Sequence, residues 1–305
     1  MKYRDWTKIW VESYLKLSVK VRTCEKYERT LRLHVLPMLG ESELTDIKST
    51  QVQNFIAQKA EHYSSGTVNG IVTVLIASLK AAQRAEIPCN LPLLQRPPRE
   101  EKKVECFSVK EQKLVEQEAL KDMRGWGVII CLYTGLRIGE LLALEWRNVN
   151  LKTGIITVEK SCHFGKDSCG NYSRIVEKPK TRSSCRIIPL TRQLTTLLSK
   201  LKKAAATPYV IEVKGKPANM RTYQYNFAAL LKRLNIPHRG FHTLRHTFAT
   251  RAIESGMDVR TLADILGHKD PKITLQRYAH SLMEHKFAMM NKLGKYCGLC
   301  VVDNM

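Results

Sequence analysis

The 305-residue chain has no apolar run approaching the roughly 20 residues that a helix needs to cross a bilayer. Its opening, MKYRDWTKIW, has no continuous apolar stretch of the kind that marks a secretory leader. Both absences predict a cytoplasmic protein that neither spans nor crosses a membrane. Acidic residues are scarce: 28 Asp and Glu face 50 Lys and Arg, a formal charge of +22. Solubility alone does not need so large an excess, so it calls for a polyanionic partner. The chain shows no basic amphipathic anchor, and nucleic acid is therefore the better match than an anionic membrane. Internal repeats and low-complexity tracts are also missing. At 44% hydrophobic residues the chain is globular, and its length suits two domains.

A disulfide framework is excluded in a different way. Nine cysteines without a leader predict reduced thiols. The one C-x-x-C, Cys297 to Cys300, has no second pair at zinc-finger spacing. Cys162, His163 and Cys169 gather on a predicted hairpin loop, again without the spacing of a zinc site. No metal is expected at either.

What is present begins with helical periodicity. Trp6, Ile9, Trp10 and Tyr14 predict a first amphipathic helix. Tyr27, Leu31 and Val35 follow at four-residue steps in a second that ends near Pro37 and Gly40. QVQNFIAQKA predicts a third, and Ser65 to Ile87 a fourth with Val68, Val72, Leu75, Leu79 and Ala82 on one face. Residues 1–87 are thus a helical bundle. The stretch 88–106 contains Pro88, Pro92, Pro97 and Pro98, which cannot continue a helix and predict an extended linker. Ser108-Val109-Lys110-Glu111 is a capping box that opens a second domain, 107–293, followed by a tail, 294–305. That domain is mostly helical with short strands at ITVEK, RIVEK and CRIIPL, and a polar hairpin between the first two. The fold class is mainly α with a small antiparallel sheet.

The second domain carries four polar clusters. In TGLRIGELLALEW, Gly135 stops one helix and Arg137 opens the next, with Glu140 placed to orient the guanidinium. An ordinary surface Arg–Glu pair would look the same. KPKTRSSCRIIPL predicts a basic hairpin with Lys180 at its tip. In FHTLRHTFAT, His242, Arg245 and His246 share one side of a helix, while Leu244, Phe248 and Ala252 make the other. A zinc protease would need Glu beside the first His, and that position is Thr243. In LGHKDPKITLQRYAH, Leu262, Ile265 and Leu266 end an apolar helical face at Gly267. His268 follows, and Asp270-Pro271 opens a helix that bears Tyr278. Beyond it, Phe287, Met290 and Leu293 continue an apolar helical stripe, with Gly294 as its stop.

Arg137, Lys180, His242-x-x-Arg245, His268 and Tyr278 stand in the order and spacing of the tyrosine recombinases, or phage-type integrases. Twenty-two residues separate Arg245 from His268, and nine separate His268 from Tyr278. The set most resembles integrases of conjugative transposons and prophages, and the resemblance covers the whole chain. It implies a core-binding domain over 1–87 and a catalytic domain over 107–293 that together clamp DNA. It implies Tyr278 as nucleophile, His242 as its proton acceptor and Arg137 and Arg245 on the non-bridging phosphate oxygens. His268 would bond the same phosphate, and Lys180 would protonate the departing 5′ oxygen. No cofactor is implied: cationic side chains take up the phosphate charge, and the phosphotyrosine ester keeps the bond energy for rejoining. The partners implied are double-stranded attachment-site DNA, a homotetramer in the synaptic complex, and accessory or directionality factors. The residues before Trp6 predict no separate arm-binding domain, which leaves a Xer-like or Cre-like organisation open beside the integrase one.

Two other readings use some of the same residues. A helix-turn-helix regulator would dock residues 253–280 in a major groove, with Tyr278 merely packed; it explains the charge but not Arg137, Lys180 or the His-x-x-Arg spacing. A type IB topoisomerase would keep the chemistry and omit synapsis.

Overall fold

The computed structural model describes residues 1–98, 104–166, 171–177, 185–268, 270–272 and 282–297. Lys180 and Tyr278 lie outside the described residues, as do Cys169 and Cys300. The chain divides into two compact units, Met1–Lys102 and Lys103–Met305.

The first unit is helical. Its opening helix runs over Tyr3–Ile9, widens to π-type turns over Trp10–Leu15 and closes at Lys16–Ser18. Tyr3, Trp6, Trp10 and Leu15 are buried, whereas Ile9 and Tyr14 are exposed. The buried face therefore differs from the predicted one. The wide turn adds a residue, so that Leu15 rather than Tyr14 follows Trp10 onto the core side. Burying the two aromatic polar groups leaves neither unsatisfied: Trp6 Nε1 donates to the Ser78 carbonyl at 2.9 Å, and the Tyr3 hydroxyl pairs with Ser78 Oγ at 2.6 Å. The second helix, Val21–Thr30 continued through Leu31–Val35 and Leu36–Leu39, buries Leu31 and Val35 of the predicted face, leaves Tyr27 half-buried, and buries Leu39 as well. Ser49–His62 buries Val52, Phe55 and Ile56.

The helix Ser65–Arg84, 20 residues long, is apolar enough by composition to cross a bilayer, contrary to the sequence expectation that no run approaches that length. Interspersed Ser, Gly, Thr and Asn disguise it in the sequence. Its Val68, Val72, Leu75, Leu79 and Ala82 are buried against Trp6, Trp10 and Phe55, the role of a core helix. The proline-rich segment is extended and pinned to this unit. Gln95 N–H donates to Gln53 Oε1 at 3.0 Å, and Asn69 Nδ2 donates to the Pro97 carbonyl at 2.9 Å.

In the second unit, Ser108 caps Val109–Leu120 with the reciprocal Glu111 bond that the sequence predicts. Trp126–Thr134, Ile138–Ala143, Arg192–Lys203, Met220–Arg233, Thr243–Glu254 and Val259–Leu266 complete its main helices. One core runs from Phe107 through Ile130, Leu141, Ile156 and Leu231 to Leu244, and a second, smaller cluster packs Leu262 and Leu266 against Ala249, Ala252 and Ile253. Val149–Asn150, Ile155–Val158 and Arg186–Pro189 form an antiparallel sheet in that order, with Ile156 opposite Ile188.

The predicted hairpins are rearranged. Ser161–Lys166, expected as a loop, is a strand, and Tyr172–Glu177 pairs with it rather than with Ile155–Val158. Arg186–Pro189, the described arm of the basic KPKTRSSCRIIPL segment, belongs to a different sheet from Tyr172–Glu177, the strand that precedes the segment; residues 178–184, with Lys180, lie outside the described residues. Gly139 explains the docking of this ribbon. A Cβ there would stand 2.5 Å from the Cys162 carbonyl oxygen, so only glycine lets the strand lie against the Ile138–Ala143 helix. Gly294 is not a helix stop either: Leu282–Tyr296 runs through it, and Cys297 N–H still reaches the Leu293 carbonyl at 2.8 Å.

Candidate catalytic site

Two left-handed helix ends define the site. Gly135, at φ 65°, closes Trp126–Thr134 and turns the chain into Leu136 and Arg137. Side chains crowd this turn, since a Cβ on Gly135 would lie 2.6 Å from Phe248 Cδ1 and 2.7 Å from Leu266 Cδ2. Gly267, also at φ 65°, closes Val259–Leu266, where Asp258 supplies the N-cap. His268 N–H then bonds back to the Ala263 carbonyl at 3.0 Å, the long closure that finishes such a turn. Leu262 and Leu266 are buried as the sequence predicts. Asp270 Oδ1 accepts from Lys272 N–H at 2.9 Å, the predicted cap of the next segment.

Arg245 joins the two ends. It lies on Thr243–Glu254 and is only 2% exposed, so the expected polar side of this helix is an interior one. Its Nη1 donates to the Gly135 carbonyl and its Nη2 to the Leu266 carbonyl, each at 2.7 Å. Those carbonyls lie two residues before Arg137 and two before His268. A buried guanidinium bound to backbone on both sides fixes both segments, and each such charge-assisted bond is worth about 1.5–3 kcal/mol. His242 occupies the N-cap position of the same helix and is exposed, its ring 4.6 Å edge-on from His246.

Arg137 opens Ile138–Ala143, and Glu140 folds back onto it. Glu140 Oε2 accepts from Arg137 N–H at 2.9 Å, and Oε1 accepts from Arg137 Nη1 at 2.7 Å. The ordinary surface pair does not describe this geometry, because Glu140 is buried while the Arg137 side chain is 37% exposed. The carboxylate has a second partner. Arg186 donates through Nη2 to Oε2 at 2.8 Å and through Nη1 to Oε1 at 3.1 Å, while its Nε holds the Ile265 carbonyl at 2.5 Å. Burial alone would raise the Glu140 carboxyl, but hydrogen bonds and charge from Arg186, then the charge of Arg137, hold it down to about 2. Cys131 lies in the field of Glu140 and Arg245, and burial first, Glu140 second, push its thiol up.

The structure therefore gathers Arg137, Glu140, Arg245 and the His268 segment through shared bonds, with His242 at the start of the Arg245 helix. Among the described residues, no group of three or more His, Cys, Asp or Glu could hold a metal ion. Arg186 was missed by the sequence reading, although a signal was present. Strand alternation puts Arg186 and Ile188 on one face and Ile187 on the other, and Ile188 is a core residue. An arginine on the inward face of a strand needs a buried carboxylate, and Glu140 is the one it finds.

Residues 109–285 match the model of the phage integrase family, and residues 2–60 match that of the phage integrase N-terminal SAM-like domain. A tyrosine recombinase XerC-like protein of Caldanaerobacter subterraneus is 28% identical over 92% of this chain and 80% of its own length. The ICEBs1 integrase of Bacillus subtilis is 26% identical over 85% of this chain and 74% of its own. In three dimensions the chain is similar to the Tn1549 transposon integrase in complex with transposon right end DNA. The TM-score is 0.80 at 23% identity, over 96% of this chain and 100% of that one. A lambda integrase tetramer bound to a Holliday junction gives 0.69 at 18% identity, over 89% of this chain and 78% of the other.

Proposed function

The chain belongs to the phage integrase family, and from that premise we propose how its own residues divide the work of a tyrosine-type site-specific recombinase. Such an enzyme cleaves and rejoins DNA at a mobile element's ends. The Tyr278 hydroxyl attacks a scissile phosphorus, forms a 3′-phosphotyrosine bond and expels the 5′ oxygen. An ordinary tyrosine with a pKa of about 10 is mostly protonated at neutral pH, so His242 takes its proton. Lys180 delivers a proton to the leaving oxygen. Arg137, Arg245 and His268 bind the non-bridging oxygens, where charge builds. Rejoining reverses each step with a new 5′ hydroxyl.

The observation that supports this reading is the Arg245 fork. One buried guanidinium bonds the backbone just ahead of both Arg137 and His268, residues far apart in sequence. Phosphate groups are best held by donors fixed in advance, and this arrangement fixes them without a ligand. A helix-turn-helix regulator has no use for it.

Double-stranded DNA is the partner, and the charge of +22 suits it. Strand exchange requires two duplexes and four protomers, so the active form is a homotetramer in the cytoplasm, with accessory or directionality factors setting the direction. The Leu282–Tyr296 helix leaves Phe287, Met290, Leu293 and Tyr296 exposed, an apolar face suited to a neighbouring copy. The test is a supercoiled plasmid carrying two attachment-site copies. Holliday junctions and recombinant circles are the expected products; relaxed plasmid without either would place the chemistry in a topoisomerase instead.

A further inference from the structure

We propose that Arg186 is a positioning residue for Arg137: by gripping both oxygens of Glu140 from the buried side, it keeps that carboxylate from closing a two-point fork on the Arg137 guanidinium and leaves the outer edge of that guanidinium for phosphate. The inference rests on the phosphate-clamp reading above and concerns what makes that clamp available. A carboxylate and a guanidinium prefer to meet fork to fork, through two parallel bonds. Glu140 has two arginines to choose from. Arg186, 5% exposed at its side chain, takes the fork with Nη1 and Nη2, and its Nε is locked on the Ile265 carbonyl. Arg137 bonds Glu140 through its backbone N–H and through Nη1 only. Its Nε and Nη2 donate to no described residue.

Charge follows the same division. One carboxylate between two guanidinium groups leaves one net positive charge, and it resides on the exposed partner. Without Arg186, the buried carboxylate would have Arg137 as its remaining counter-charge in this cluster. The stable response is for Arg137 to swing inward and close the fork, withdrawing the donors that a phosphate requires. Arg186 also ties the strand Arg186–Pro189 to Ile265, three residues before His268. The same side chain thus steadies two of the segments that carry phosphate ligands.

A purely structural ion pair would share the geometry but not the coupling, and a double-mutant cycle separates them. Covalent adduct accumulates irreversibly on a nicked suicide substrate, so slow variants remain measurable over hours. Parent, Arg137→Ala, Arg186→Gln, Arg186→Lys and both doubles are compared below their melting transitions, with half-site binding measured alongside. Arg186→Gln should slow cleavage about 100-fold with binding unchanged, the scale of a displaced catalytic group. Arg186→Lys keeps the buried charge and stays readable if the Gln variant does not fold. It should slow cleavage about tenfold, because an ammonium cannot fork two oxygens. In the Arg137→Ala background the Gln change should slow cleavage by less than about tenfold and the Lys change by less than about threefold, since the group they chiefly position is gone and only the cost of the lost Ile265 bond to the His268 segment remains. Parental cleavage by Arg186→Lys, or deficits that multiply in full with Arg137→Ala, would overturn the proposal while leaving the clamp intact. Parental cleavage by Arg137→Ala would overturn the clamp reading and this one with it.

Discussion

Tyr278→Phe should bind its DNA site with unchanged affinity and form no covalent adduct, a loss of at least about 10⁴-fold in cleavage, as expected when a nucleophile is removed. Phenylalanine keeps the ring, so packing and DNA affinity are not the variables. In the proposed mechanism the substitution deletes the one atom that forms the bond to phosphorus. Its proton acceptor and the arginine clamp remain, but neither can substitute for a nucleophile. A nicked suicide substrate and a denaturing gel give the readout. Adduct from the Phe variant at even a few per cent of the parental rate would assign the attack to another group.

Arg137→Lys and Arg245→Lys should both lose about 10²–10³-fold in cleavage, the cost of removing a preorganised donor from a developing anion. They should differ in stability. Arg137 is part-exposed and its ion pair is discounted by solvent, so Arg137→Lys should change folding stability by less than about 1 kcal/mol. Arg245 is buried and spans two carbonyls, and a lysine reaches only one of them. Arg245→Lys should therefore lose about 2–3 kcal/mol, seen as a lower melting temperature. Cleavage within about threefold of the parent in both variants would reduce the pair to structural charges. Equal stability loss at both sites would contradict the geometry that separates them.

The parts of this arrangement that were legible in the sequence are those governed by short-range rules. Helix faces such as Val68 to Ala82, the Ser108 capping box, and the glycine ends at Gly135 and Gly267 follow from spacing and local backbone preference. The order of Arg137, Lys180, His242, Arg245, His268 and Tyr278 stands in the sequence itself, and the resemblance to the tyrosine recombinases rests on it.

What the sequence hid depended on pairing at a distance. Ser161–Lys166 was expected as a loop because its alternation is weak; its place is set by Gly139, which lets the backbone of a remote helix approach. The phase of the first helix was misjudged because a π-type turn moves Leu15 by one position. Arg245 was expected on a polar face, yet its polar partners are backbone carbonyls, and composition does not encode those. Glu140 was read as the partner of Arg137 alone. The second arginine lies 46 residues away, on a strand whose alternation faces it inward with Ile188, but spacing alone does not say which carboxylate it meets.

The proposed role of Tyr278 in cutting DNA is tested most directly by locating the covalent bond. Adduct from the parent protein and a suicide substrate is digested with protease and nuclease, and the peptides are sequenced by mass spectrometry. The expected product is a nucleotide attached through its 3′ phosphate to the peptide ITLQRYAH, with fragmentation assigning it to Tyr278. A nucleotide on any other tyrosine, on a serine or cysteine, or attached through a 5′ phosphate would contradict it.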